Sequence, residues 1–147
     1  MVINGWHIYF VRGLFGQQRR DLQMQVRDLK RTLTPEQYLK HPTVKLYAAI
    51  MTAIKEKIPA DPYASHFALT GPLKKYGRVK KMSLPDRYRL FFRALKTPQQ
   101  NAIFILWLGY PRKEGDKKDC YAAFSRLVAR GDFPNTLDEL LAQSKDD

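Results

Sequence analysis

Apolar residues recur at helical spacing through much of the first half of the chain. In order, this half is predicted to hold a short strand, a long helix, a second helix with an offset, and a loop: Trp6–Val11, Phe15–Thr32, 35–57 and 59–72. Leu22, Val26 and Leu29 form one stripe of the long helix, and most of its basic residues lie off that stripe. Pro35 suits the first turn of the next helix, which Pro42 interrupts or offsets.

The period changes from 3.6 to 2 in the second half, which predicts strands. They are expected at 78–83, 88–95 and 102–110, followed by helices at 119–130 and after Thr136. The last strand is apolar on both faces and should be central. Gly131 is expected to end the first helix as a left-handed cap, and Glu139 to complete a capping box with Thr136. We therefore predict an α+β fold in a single domain, 1–147: a small twisted antiparallel sheet with an N-terminal helix pair and C-terminal helices.

The composition is typical of one folded domain inside the cell. The chain has 147 residues, of which 44% are hydrophobic and 12% aromatic, enough for a sizeable core. A single cysteine, Cys120, cannot form an internal disulfide. The start of the chain lacks the pattern of a secretory signal, and no stretch is apolar for the length of a membrane span. We expect a cytoplasmic protein that does not enter a membrane.

The charge of the chain points to a polyanionic partner. There are 26 basic and 14 acidic residues, a net charge of +12, and nine basic residues between 74 and 96 face only one acidic residue, Asp86. Such a stretch repels itself unless it is solvated or meets an anion. A well-solvated surface and a membrane-facing patch are the alternatives. The membrane patch needs an amphipathic helix, whereas this segment has the pattern of a strand, so nucleic acid is favoured.

An arginine row in the predicted strand 88–95 and just before it is the first candidate site. Alternate residues of a strand share a face and lie about 7 Å apart, a spacing that suits successive phosphates of a nucleic acid. The row consists of Arg87, Arg89 and Arg93. Lys80 and Arg78 could extend it from the preceding strand. A polar sheet face exposed by default is the alternative, but carboxylates would then be expected and the strand contains none.

The loop after the last strand is the second candidate site, because loops at strand ends often carry functional groups. Its basic residues are Arg112, Lys113, Lys117 and Lys118. Tyr121 follows at the start of the next helix, where it could serve the same site or pack beside Phe124. A metal cluster of Glu114, Asp116 and Asp119 is disfavoured by the interleaved lysines and the lack of a nearby histidine.

Other kinds of site have little support. The three histidines are scattered, so neither a paired-histidine nuclease nor a zinc site is expected. Cys120 lies inside a predicted helix without a histidine partner in the sequence and is read as a small buried side chain. The chain has no glycine-rich loop that could cradle a phosphate.

Several segments together resemble the YhaV family of bacterial toxins, within the RelE superfamily. They are Asn4-Gly5-Trp6, the basic helix pair, Arg87-Tyr-Arg-Leu-Phe-Phe-Arg93, and Lys117-Lys-Asp-Cys-Tyr-Ala-Ala-Phe-Ser125 followed by Gly131. The similarity spans nearly the whole chain, although the loop after Trp107 is shorter than is typical of the family. The resemblance implies a RelE-like fold and an mRNA interferase, which cuts messenger RNA, often on the translating ribosome.

The resemblance also implies a reaction without metal or other cofactor. A ribose 2′-hydroxyl attacks the adjacent phosphate, and the 5′-oxygen leaves. Arg89 and Arg112 would stabilise the phosphorane, while Arg87 and Arg93 would hold neighbouring phosphates. Tyr121 would stack on a base or relay a proton. Lys117 and Lys118 are candidates for proton transfer.

A partner follows from the same resemblance: a homodimeric AbrB-like antitoxin encoded beside the toxin. It would either cover the arginine row with an acidic segment or add bulk that keeps the toxin out of the ribosome. Two other functions stay open. A non-catalytic RNA-binding or ribosome-associated protein would use the same basic surface without stopping growth, and a metal-dependent nuclease would be inhibited by a chelator.

Overall fold

A computed structural model describes residues 1–86, 88–110 and 119–146, apart from the side chains of Asp119, Lys145 and Asp146. The strands are β1 (Val2–Ile3), β2 (Trp6–Val11), β3 (Gly77–Val79), β4 (Arg89–Lys96), β5 (Asn101–Gly109) and β6 (Ser144–Asp146). The helices are α1 (Phe15–Thr32), α2 (Pro35–Lys40), α3 (Pro42–Thr52), α4 (Ile58–Ala60), α5 (Asp119–Ala129) and α6 (Leu137–Ala142). Within these ranges no helix has the length and apolarity needed to cross a membrane.

The sheet is mixed, in the order β1-β2-β5-β4-β3, with β6 also paired to β2. The α+β class is confirmed, but the prediction of an antiparallel sheet is wrong at one pair: β2 and β5 run parallel, with Ile8 opposite Ile103. Long connections allow parallel neighbours, whereas tight turns produce antiparallel ones. Here the whole helical segment and two further strands separate β2 from β5, so no short turn dictates their direction.

The first two strands form a hairpin that the sequence analysis missed. Ile3 pairs with Trp6, and the two residues between them, Asn4 and Gly5, have φ angles of 53° and 81°. Asn-Gly is the preferred pair for a two-residue turn with left-handed backbone at both positions. The Asn-Gly-Trp start therefore has a local structural role, which is to fix the edge of the sheet.

The predicted helices agree closely with the structure. The long helix has the predicted bounds. The second helical segment is offset at Pro42 and continues through a π-helical turn, Ala53–Lys57, into α4. Gly131 has a φ of 78°, as expected of a left-handed cap, and the Thr136 side chain accepts a hydrogen bond from the backbone N–H of Glu139.

The predicted strand at 78–83 is shorter than expected. The strand ends at Val79, and Lys81, Met82 and Ser83 all have positive φ angles between 53° and 73°. Three residues in the left-handed region turn the chain away and cannot continue a ladder of sheet hydrogen bonds. Alternation of residue types alone did not reveal this turn.

Hydrophobic clusters cover both faces of the sheet. On one face, α1 and α3 pack against side chains that include Leu90 and Phe92 of β4. On the other face, α5 packs against Phe91, whose ring stacks on that of Phe124 at 4.1 Å. Among the residues of this face beside α5, Arg89 of β4 and Trp107 of β5 are half-exposed and can reach a ligand.

Two local features set the geometry of the sheet on the two sides of β4. Phe91 pairs with Trp107 but Phe92 pairs with Ile105, so Leu106 is an extra residue and β5 bulges there. Across β4, a Cβ atom on Gly77 would lie 2.4 Å from Cζ of Phe92. The aromatic ring thus occupies the space that any other residue at 77 would need, and this close packing locks β3 in register against β4.

Candidate active site

Two arginines converge on the hydroxyl group of one tyrosine. Arg78 in β3 and Arg89 in β4 each donate a hydrogen bond from Nε to Oη of Tyr121, both at 3.1 Å. Arg78 stands opposite Phe91, and Arg89 lies two residues before Phe91 on the same face. Tyr121 is in the first turn of α5, which crosses that face. As predicted, Arg89 therefore lies on the same face of β4 as Phe91.

Each guanidinium group is anchored a second time. Nη1 of Arg78 donates to the carbonyl of His66 at 2.8 Å, and Nη1 of Arg89 donates to the carbonyl of Tyr88 at 2.8 Å. Neither Nη2 donates to a residue within the described ranges. Because both arginines are half-buried, the site holds two oriented cations whose remaining N–H groups can meet an anion.

The ring of Tyr121 has a packing role as well. It meets Phe91 edge-on, with centroids 5.8 Å apart and planes at 87°, and the Arg89 guanidinium lies 6.0 Å from its centroid. Phe124 stacks on Phe91, and the half-buried Tyr121 packs against the cluster that contains both rings, as in the alternative of a packing role. The two roles of Tyr121 are therefore compatible: its ring packs against the core, and its hydroxyl stays available for chemistry.

The pKa of Tyr121 is lowered from the ordinary value of 10.0. Burial raises it, but the hydrogen bonds and positive charges of Arg78 and Arg89 together outweigh burial. Both guanidinium groups donate to Oη, so the hydroxyl's own proton must point to another acceptor. The arrangement favours the phenolate and leaves this oxygen able to exchange a proton with a ligand.

Arg93 departs from the predicted solvent-facing row. Only 8% of its surface is exposed, Nη1 donates to the carbonyl of Pro134 at 3.3 Å, and the guanidinium lies 6.0 Å from the Tyr76 ring centroid. The prediction of an open face is wrong here because the segment after α5 covers this part of β4. Burial raises the pKa of Tyr76 despite the opposing charge of Arg93. In this environment Arg93 holds the segment after α5 to the sheet.

The structure places only some of the other predicted residues. Lys80 is exposed immediately after β3. Arg87, Arg112, Lys113, Lys117 and Lys118 lie outside the described residues, as do Glu114 and Asp116 of the disfavoured metal cluster, so the roles of these residues stay predictions. In the described part of the chain, no three histidine, cysteine or acidic side chains are grouped as metal ligands.

Arg78 is predicted from the sequence only as an extra contact to RNA, whereas in the structure it binds the Tyr121 hydroxyl together with Arg89. One signal in the sequence could have indicated this role: Arg78 is the single charged residue of the short alternating segment 77–79. The pairing that brings Arg78 beside Arg89 could not be derived from either segment alone. Trp107 belongs to the strand that is predicted to be central because it is apolar on both faces, but this residue is half-exposed beside α5.

Comparisons with known proteins agree on one family. Residues 9–145 match a family model described as a toxin with endonuclease activity, of a toxin-antitoxin system. The chain is 30% identical to the ribonuclease toxin YhaV of Escherichia coli K12, over 98% of this chain and 95% of that protein. The toxins YhaV of strains O157:H7 and CFT073 match with the same identity and coverage. No solved structure matches the chain at a significant level.

Proposed function

The chain belongs to the YhaV family of toxins with endonuclease activity, and we propose that it cuts RNA at the hydroxyl of Tyr121 and the two arginines bound to it. The observation that carries the proposal is the pair of 3.1 Å hydrogen bonds from Arg78 and Arg89 to that hydroxyl. The name of the Escherichia coli K12 relative, a ribonuclease toxin, supports RNA as the substrate. The nine basic residues between 74 and 96 support a polyanion.

The scissile phosphate would sit against the free edges of the two guanidinium groups. Arginine binds phosphate oxygens through a planar fork, and these two forks are each held at two points by protein oxygens. Donors fixed before the reaction stabilise charge that grows in the transition state without a cost of reorganisation. Arg112, which is predicted in the loop after the last strand of the sheet, would bring a third cation to the same phosphorane.

The reaction we propose is transfer of the phosphate to the neighbouring ribose oxygen. The 2′-oxygen attacks phosphorus, the bond from phosphorus to the 5′-oxygen breaks, and the products are a 2′,3′-cyclic phosphate and a 5′-hydroxyl. Tyr121, as phenolate, accepts the 2′-hydroxyl proton, in keeping with its lowered pKa. Lys117 or Lys118 would give a proton to the departing 5′-oxygen. Stacking of Tyr121 on a base is the alternative role.

The test is the chemistry of the new RNA ends. Purified protein is incubated with messenger RNA, with and without ribosomes, and with and without a chelator. We expect 5′-hydroxyl ends that form in the chelator, and their loss in Tyr121→Phe. Tyr38→Phe is the matched control, since Tyr38 is a half-buried tyrosine on α2, away from the site. Chelator-sensitive 5′-phosphate ends would indicate a metal-dependent nuclease, and binding without any cleavage would indicate a passive RNA-binding protein.

The biological setting is proposed from the family. A toxin of a toxin-antitoxin system has an antitoxin, and we propose an AbrB-like partner whose acidic segment covers Arg78 and Arg89. Messenger RNA on or near the ribosome, in the cytoplasm, is the proposed target. We also propose that residues 1–147 form one toxin domain, because both hydrophobic clusters pack on the same sheet.

A further inference from the structure

A second basic and aromatic surface lies on the other flank of α5. It is a cleft of about 180 Å³, lined by Trp107, Ala123, Arg126, Leu127 and Arg130. Arg126 follows Tyr121 on α5 by roughly 1.4 helical turns, and so projects from a nearly opposite side of the helix. The candidate active site and this Trp107 cleft therefore border α5 from its two sides.

The indole of Trp107 is held in place by two aromatic rings and by the backbone at Gly109. Its plane is within 24° of the Phe91 ring and within 16° of the Phe124 ring, at centroid distances of 5.8 and 6.4 Å. A Cβ atom on Gly109 would lie 2.9 Å from Cζ3 of the indole, so only glycine at 109 leaves the ring this position. The bulge at Leu106 turns the Trp107 side chain onto the α5 face. The ring is thus a rigid platform that is half-exposed.

The cations of the cleft differ in their availability. Arg130 is paired with Asp132 through two hydrogen bonds of 2.7 and 3.2 Å. Arg126 is exposed, and its side chain makes no hydrogen bond or ion pair with a residue in the described ranges. At about 180 Å³ the cleft is smaller than the about 300–1,000 Å³ typical of pockets for drug-sized ligands. A single planar ring next to one anionic group fits these dimensions and charges.

We propose that the Trp107 cleft is a nucleobase subsite: one base of single-stranded RNA stacks on Trp107 while its phosphate meets Arg126. Stacking on aromatic side chains, joined to arginine contacts with phosphate, is how proteins hold single-stranded RNA. The rings of Trp107 and Tyr121 both lie 5.8 Å from the ring of Phe91. The two ring centroids are therefore no more than twice that distance apart, so a base close to the cleaved bond can reach the subsite from the other flank of α5.

This inference rests on the proposed function and extends it to sequence preference. A stacking platform accepts every base but modestly favours the bases that stack more strongly, here at a position close to the cut. Loss of the platform should therefore change which sequences are cut, whereas loss of Tyr121 should change how fast any sequence is cut. The difference lets the two proposals fail separately.

The first experiment maps cleavage positions on a transcript pool for the parent, Trp107→Ala and Arg126→Ala, with Arg27→Ala as the control. Arg27 is an exposed arginine of α1. Stacking of one base is worth about 1–3 kcal/mol, so we expect kcat/KM for the transcripts to fall roughly 5- to 150-fold in Trp107→Ala. The modest preference for strongly stacking bases at one flanking position should be lost with it. Arg126→Ala removes an exposed side chain, so it keeps the test valid should Trp107→Ala not fold. Arg126→Ala removes a phosphate contact and should lower kcat/KM without changing base preference. Unchanged kcat/KM in both variants would overturn the subsite.

The second experiment measures binding without cleavage. A 2′-O-methyl RNA oligonucleotide lacks the attacking hydroxyl, and a base stacked on Trp107 should quench tryptophan fluorescence. The other tryptophan, Trp6, is buried, so the quench should disappear in Trp107→Phe. A quench that persists when no RNA is cut would leave the subsite standing and the proposed reaction refuted. A different outcome would identify the cleft as a protein interface and overturn the RNA subsite. In that outcome RNA causes no quench in the parent, and Trp107→Ala and Arg126→Ala change the affinity for the antitoxin but not the cleavage of RNA.

Discussion

Arg89 donates a hydrogen bond from Nε to the hydroxyl of Tyr121 at 3.1 Å, although 32 residues separate them in the sequence. The bond joins the sheet to the first turn of α5 and, with Arg78, lowers the pKa of the phenol. One contact thus couples the position of the helix to the ionisation of the group that we place at the reacting 2′-oxygen.

Tyr121 should govern the pH dependence of cleavage. A base acts when it is deprotonated, so the rate should rise with pH through a pKa below the ordinary 10.0 and then level. Tyr121→Phe should lose this rise, while Tyr38→Phe keeps it. Tyrosinate absorbance, as the difference between parent and Tyr121→Phe, should show the lowered pKa directly. A difference titration centred at or above 10.0 would contradict the assignment.

Arg89→Ala should abolish toxicity without unfolding the protein. Removing one fixed donor of this type costs about 10²–10³-fold in rate, and a half-exposed arginine contributes little to the core. Arg89→Lys should not restore activity, because an ammonium group cannot reproduce the guanidinium fork. Growth after induction and single-turnover cleavage are the measurements, with Arg27→Ala as the control. A folded, expressed Arg89→Ala variant that still stops growth would remove this residue from the site.

Arg93→Ala should act on stability instead. The change removes the hydrogen bond that the buried Arg93 guanidinium donates to the carbonyl of Pro134, and hydrogen bonds to charged groups are worth about 1.5–3 kcal/mol. We expect the free energy of unfolding in urea to fall by about that amount, and cleavage by the remaining folded protein to stay near the parent rate. Unchanged stability together with lost cleavage would return Arg93 to the group of RNA ligands.

RNA binding should weaken steeply with salt. Each neutralised phosphate of a single strand contributes about 0.7 to the slope of log affinity against log salt. The parent should therefore show a slope of several units, and Arg78→Ala a slope smaller by about one contact. Fluorescence anisotropy of a 2′-O-methyl oligonucleotide at several salt concentrations measures both. A flat response between low and physiological salt would exclude an electrostatic groove.

The mode of antitoxin inhibition can be separated by charge reversal. Because Arg93 is buried, the informative pair is Arg78→Glu with Arg89→Glu. If the antitoxin covers the active site, its affinity and the affinity for RNA should both fall in this variant, and we expect this outcome. If it acts by bulk at another surface, only RNA binding should fall. Titration calorimetry with the purified antitoxin distinguishes the two.

Local signals in the sequence were sufficient for most elements of the fold. The apolar stripe of α1, proline at the start of a helix, Gly131 as a cap and the period-2 pattern of β4 all act over a few residues, and each prediction is confirmed. The family could also be identified from the sequence, because its motifs are continuous stretches of chain. The basic character of the segment 74–96 needs no structure either, since charge is a property of composition.

Tertiary structure decided which of these charges meet. Arg78, Arg89 and Tyr121 come from three elements, and their convergence depends on the pairing of β3 with β4 and on the path of α5. The same packing buries Arg93, which the strand pattern could not distinguish from Arg89. A single extra residue at Leu106 turns Trp107 to the α5 face. Alternation along one strand specifies a face, but whether that face is covered depends on segments far away in the chain, because burial is settled only when those segments pack against it.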